Sequence, residues 1–116
     1  MKRFLHYITT KFEDGRQSGG YKKLTLFYSK LLKADAYLLY YPEGSSIPPH
    51  IDNIESGKHY RLNIEIKRAE AGGIFYSEDT VFDIGRVVLF RPDINLHRVS
   101  RINKGSRLVL SFGKVV

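Results

Sequence analysis

From Asp35 to the C-terminus the chain is a succession of short β-rich runs cut by Gly, Pro, Asn and Asp, and this limits its fold more than any other feature. The runs are Ala36 to Tyr41, Ile47 to Ile51, Tyr60 to Lys67, Gly73 to Tyr76, Thr80 to Asp83, Arg86 to Arg91, Leu96 to Ser100 and Arg107 to Phe112. Runs this short and this closely spaced predict a sandwich or closed barrel, and eight of them suit a double-sheet jelly roll. Before them the pattern differs. Phe4 to Ile8 is a predicted strand, Glu13 to Gly20 a predicted loop, and Leu24, Phe27, Tyr28, Leu31 and Leu32 recur at three and four, predicting an amphipathic helix over Tyr21 to Leu32. The expectation is a mainly β jelly roll with one supporting N-terminal helix. It forms a single domain over 1–116, with 1–35 as lead-in and 36–113 as core.

The 116 residues contain no cysteine, so disulfides and thiolate metal sites are excluded and any metal must be held by His and carboxylate. No run reaches the length of a membrane span, and the N-terminus lacks the apolar region of a secretory signal. A cytoplasmic protein with no membrane partner is therefore expected. A net charge of +7 points to anionic partners: nucleic acid, an acidic peptide or a carboxylated metabolite. The basic residues are scattered rather than gathered in one run.

His50-Ile51-Asp52 is the segment with the most chemistry in it. Residues two apart on a strand share a face, so an imidazole and a carboxylate point the same way while Ile51 points the other. A second imidazole, His97, opens a later run, and Arg107 follows ten positions on. Two imidazoles and one carboxylate on one side of a metal leave positions open for a co-substrate and dioxygen, the arrangement of non-haem Fe(II) sites. Arg107 can pair in bidentate fashion with a ligand carboxylate, or it can pair with Asp83 or Glu65 of its own chain. His6 and His59 lie outside the pattern and read as surface or loop histidines. Gly72, Gly73 and Gly85 read as turn residues.

Over Leu38 to Gly113 the sequence resembles the 2-oxoglutarate and Fe(II)-dependent oxygenases, whose fold is a double-stranded β-helix, and within them the prolyl 4-hydroxylase-like branch. The likeness rests on Tyr41-Pro42-Glu43-Gly44 leading to Pro49-His50-Ile51-Asp52, on Arg61 to Ile66 followed by Gly72-Gly73-Ile74-Phe75, and on Gly85 to Phe90 followed by Leu96-His97-Arg98-Val99, with Arg107 last. The resemblance implies that His50, Asp52 and His97 bind Fe(II), and that Arg107 holds the distal carboxylate of 2-oxoglutarate. It further implies that Tyr41 contacts the same co-substrate and that Arg61 lies near the substrate. The implied activity is a dioxygenase that hydroxylates a C–H bond and releases succinate and CO2. The alternatives are a binding module with a structural metal, and a metal-dependent cupin that does not use 2-oxoglutarate. Ile47 and Phe75 depart from the family pattern, where tyrosine and threonine are common.

Overall fold

The computed structural model describes Glu13, Asp14 and residues 19 to 116, and every regular element among them is a strand. The predicted strand Phe4 to Ile8 lies outside the described residues. In chain order the strands are β1 (Glu13–Asp14), β2 (Lys22–Ser29), β3 (Ala34–Tyr41), β4 (Ile47–His50), β5 (His59–Lys67), β6 (Ala71–Gly72), β7 (Phe75–Ser77), β8 (Phe82–Asp83), β9 (Val87–Phe90), β10 (His97–Val99), β11 (Ile102–Lys104) and β12 (Arg107–Val115). A seven-stranded sheet runs β1-β2-β3-β12-β5-β9-β8, and it faces a three-stranded sheet β4-β10-β7 and the pair β11-β6. This is the predicted jelly roll.

The predicted helix is replaced by a hairpin, β2 to β3, and the reason lies in one residue. Thr25 pairs with Tyr37 and Phe27 with Ala36, so Leu26 is an extra residue bulged out of the ladder. A bulge adds one to the period of two. Leu24 and Phe27 thereby share a face of a strand while standing three apart, which is the spacing that imitates a helix. The sequence from Glu13 also differs from the predicted loop, because Glu13 and Asp14 pair with Lys23 and Lys22.

Alternation along β12 sets the interior. Arg107, Val109, Ser111 and Gly113 are buried, and the residues between them are half-buried or exposed. Val109 joins Tyr21, Tyr41, Ala69, Val99 and Ile102 in the core, with Leu39, Ile47 and Phe75 packed against them. The register carries the opposite face across the large sheet as apolar ladders, one of them Leu24, Leu38, Leu110, Ile64 and Val87. The inner wall of β5, in contrast, is polar: His59, Arg61, Asn63 and Glu65 alternate with Tyr60, Leu62, Ile64 and Ile66.

Gly72 and Gly73 both take positive φ, 73° and 66°. A Cβ on Gly72 would run into the Arg101 carbonyl, and one on Gly73 into Ile102. These glycines let β6 turn and lie directly against β11.

Candidate metal centre

His50 ends β4 and His97 begins β10, and the two are direct partners in an antiparallel pair. Side chains at directly opposed positions lie on the same face, and here the two rings stand 4.2 Å apart between centroids at 54°. Asp52 lies just beyond β4, where its backbone N–H donates to the Pro92 carbonyl at 2.8 Å. The carboxylate meets both imidazoles. Oδ1 is 3.4 Å from His50 Nε2 and Oδ2 is 3.5 Å from His97 Nε2. One ligand atom from each of the three residues lies within 4.8 Å of the others.

The far side of each ring fixes its tautomer. His50 Nδ1 lies 2.8 Å from the Pro48 carbonyl and His97 Nδ1 lies 2.9 Å from that of Asn95. A carbonyl only accepts, so each Nδ1 carries a proton, and in the neutral ring each Nε2 presents its lone pair inward. Second partners of this kind are what orient metal-bound histidines. With ligand bonds of about 2.1 Å, adjacent donors on one metal sit about 3 Å apart, close to the separations seen. His97 is buried and packs edge-on against Phe90, ring centroids 5.2 Å apart. Two neutral nitrogens and one carboxylate oxygen fit a divalent cation.

The triad opens on a cavity of about 240 Å³. Ile47 and Phe75, the two departures from the family pattern, line it, as do Tyr41 and Arg61. Tyr41 is 2% exposed and stacks on Tyr21. Burial pushes its phenol up to about 12 against the opposing pull of Arg107.

Arg107 is in a different place. It lines a separate cavity on the other side of Phe75 and Asn63, and its Nε donates to Glu65 Oε2 at 2.6 Å. The guanidinium lies over the Tyr41 ring at 4.9 Å, while Arg68 takes the other oxygen of Glu65 at 2.8 Å. Burial works against the Glu65 carboxylate, but hydrogen bonds from Arg68 and Arg107 outweigh it and hold the group below the ordinary glutamate range. Of the two partners in its own chain open to Arg107 in the sequence, Asp83 and Glu65, the structure pairs it with Glu65.

His59 is not a surface residue. It lines the triad cavity beside Arg61, and burial together with the Arg61 charge lowers its pKa. Asp35, Tyr37 and Ser111 line the same wall, and none of them was marked by the sequence patterns. The signal that could have found them is the polar alternation of β5, which reads as a solvent face unless the sheet is known to close.

No protein-family model and no curated protein matches this sequence. Solved structures do match, and they define the class: the chain has the fold of the cupin-type jelly rolls. A Pseudomonas putida prolyl-4-hydroxylase superposes with a TM-score of 0.71 at 13% identity, over 98% of this chain and 82% of its own. The Schizosaccharomyces pombe Cnp3 cupin domain gives 0.64 at 14%, over 90% and 68%. A predicted oxalate decarboxylase from Thermotoga maritima gives 0.59 at 15%, over 83% and 81%. Among the described residues no helix is long and apolar enough to cross a membrane.

Proposed function

We propose that this chain is an Fe(II)- and 2-oxoglutarate-dependent dioxygenase that hydroxylates a C–H bond and releases succinate and CO2. The observation that carries the reading is the triad: two imidazoles with Nε2 turned to one carboxylate, each ring fixed from behind by a backbone carbonyl. Three protein donors on one side of a metal leave its other positions for a chelating 2-oxo acid and dioxygen. When bound, Fe(II) supplies the redox chemistry that couples decarboxylation of the 2-oxo acid to oxidation of the substrate.

The chain's own groups bind, orient and exclude water. His50 and His97 give neutral nitrogen donors, Asp52 gives the charge that favours a divalent cation, and the Pro92 carbonyl fixes Asp52 through its backbone. Phe75, Phe90 and Ile47 form the apolar wall beside the metal, which limits solvent around a reactive centre. The fold shared with a prolyl-4-hydroxylase supports this reading.

A second reading, a metal-dependent cupin that does not use 2-oxoglutarate, is favoured by the pairing of Arg107 with Glu65, which occupies the arginine the family pattern assigns to the co-substrate. One experiment separates them. Anaerobic protein with Fe(II) is mixed with 2-oxoglutarate and the visible charge-transfer band of the chelate is sought, after which oxygen is admitted and succinate measured. The oxygenase gives the band and then succinate. Iron binding without either result leaves the cupin.

A further inference from the structure

We propose that the outward face of the large sheet is a dimer interface, covered by the same face of a second copy of this chain with the two β12 strands lying over one another. The metal cavity belongs to the other face of the sheet, where Asp35, Tyr37, Arg61, Asn63 and Ser111 line it. Their neighbours along the same strands point away from it, so pairing through the outward face leaves the cavity free.

Strand pairing makes the outward face apolar. Beside the ladder from Leu24 to Val87 runs a second, Phe27, Ala36, Phe112, Leu62, Leu89 and Phe82, one residue from each of β2, β3, β12, β5, β9 and β8. Neither ladder holds a charged or hydrogen-bonding side chain. An antiparallel sheet that meets water on one face carries polar residues there; this one carries leucines and phenylalanines. Phe27, Phe112 and Phe82 are 47, 38 and 40% exposed. The small sheets lie on the opposite side, because their Val99 and Ile102 pack with Tyr41 and Val109, inward residues of β3 and β12.

The size of the face suits a second copy. Six strands about 4.8 Å apart and two rows about 6.8 Å apart make an apolar floor of roughly 400 Å². The flanking rows add Tyr40 and Leu108 on one side and Ala34 and Tyr60 on the other, which brings it to roughly 650 Å². That is past what a monomer ordinarily leaves open and approaches the roughly 800 Å² that each partner buries in a stable complex.

The flanking rows also set the symmetry. One carries Lys22 and Lys67, and the other carries Ser29, Lys114 and Tyr60. A two-fold axis running along β12 stacks each row on itself and sets Lys114 against Lys114. An axis running across the strands, between the two ladders, keeps each strand over its own copy and exchanges the rows. Lys22 then faces Ser29 of the second copy, Lys67 faces Tyr60, and Lys114 faces Leu108. The ladders are exchanged as well, so Leu110 meets Phe112, Phe112 meets Leu110, and Leu38 meets the small Ala36. This reciprocity is what a two-fold interface requires.

The test is the oligomeric state of the 116-residue chain, followed by sedimentation equilibrium from about 1 to about 200 μM. Wild type is compared with Phe112→Lys, with Leu110→Glu, with an equimolar mixture of those two variants, and with Leu31→Lys at the hairpin tip; melting curves report the fold. The expected wild type is a dimer that tightens with added salt, because each copy carries +7. Each variant on the face is expected to weaken association at least about 100-fold, since the change enters the interface twice. Leu31→Lys leaves it unchanged. The mixture recovers to within about tenfold of wild type, because a lysine then meets a glutamate across the axis while the other contact stays native. A monomeric wild type overturns the proposal, and one whose melting temperature also falls on Phe112→Lys has the face covered from within its own chain. A dimer that survives both substitutions uses another surface and overturns it equally. Loss in both variants with no recovery in the mixture overturns the exchange of ladders.

Discussion

Asp52 and Glu65 are both carboxylates that face nitrogen groups in this barrel, and their fates differ. At one end Asp52 meets two imidazoles at 3.4 and 3.5 Å, a set of three donors with no arginine or lysine paired to the carboxylate in the triad. At the other, Glu65 meets two guanidinium groups at 2.6 and 2.8 Å, and the charges close on themselves. The first arrangement waits for a cation, and the second already contains its cations. Closeness of polar residues alone does not make a site; what matters is whether the local charge is left open or neutralised within the chain.

The contrast breaks most sharply at the closed end. Arg107→Ala removes the more buried of the two partners of a nearly buried carboxylate, leaving Arg68, and is expected to cost roughly 2 kcal/mol, read as a loss of unfolding free energy in urea. A loss below about 1 kcal/mol would mean that the pair is solvated and available to a ligand. At the open end, Asp52→Ala is expected to weaken Mn(II) binding by more than about 100-fold, beyond what loss of a second-layer contact gives, while the metal-free protein keeps its melting temperature. A metal-free protein that unfolds on this change would show Asp52 to be structural.

Acid sharpens the same comparison. The Glu65 carboxyl lies below its ordinary value, so the unfolded chain binds protons first. Its stabilisation is therefore complete above the ordinary glutamate range and is lost as pH falls through that range to the lower folded value. Melting temperature measured downward from about pH 5 should fall for wild type and fall less steeply for Glu65→Gln. His59 follows the same sign at higher pH. Burial lowers its pKa, so stability held above the ordinary histidine value declines as pH drops through it, and His59→Gln should flatten that slope. The smallest effect is expected on the hairpin tip, where Leu31 is 92% exposed: Leu31→Lys should change stability by less than about 0.5 kcal/mol.

Much of the candidate metal centre was legible in the residues. His50 and Asp52 share a strand face by spacing alone, and His97 was available as a third donor because no cysteine competes. The helix over Tyr21 to Leu32 was misread because the bulge at Leu26 gives a strand the three-residue spacing of a helix. For Arg107 the sequence offered Asp83 or Glu65 as partners within the chain but not the choice between them, since Glu65 stands 42 residues away and only the pairing of β5 with β12 brings the two together.

The sequence by itself determined a short-stranded β fold, limited any metal site to His and carboxylate, and marked two histidines and one aspartate as candidates for it. Only the tertiary structure decided which face of β5 is inside. Alternation offers a polar row and an apolar row, and a single half-buried sheet would turn the apolar row inward. Closure of the barrel turns His59, Arg61, Asn63 and Glu65 inward instead, because the cavity facing the triad is lined by polar groups that pair with one another and with β12. Which arginine meets the metal cavity follows from that choice, a matter of strand pairing that local sequence does not encode.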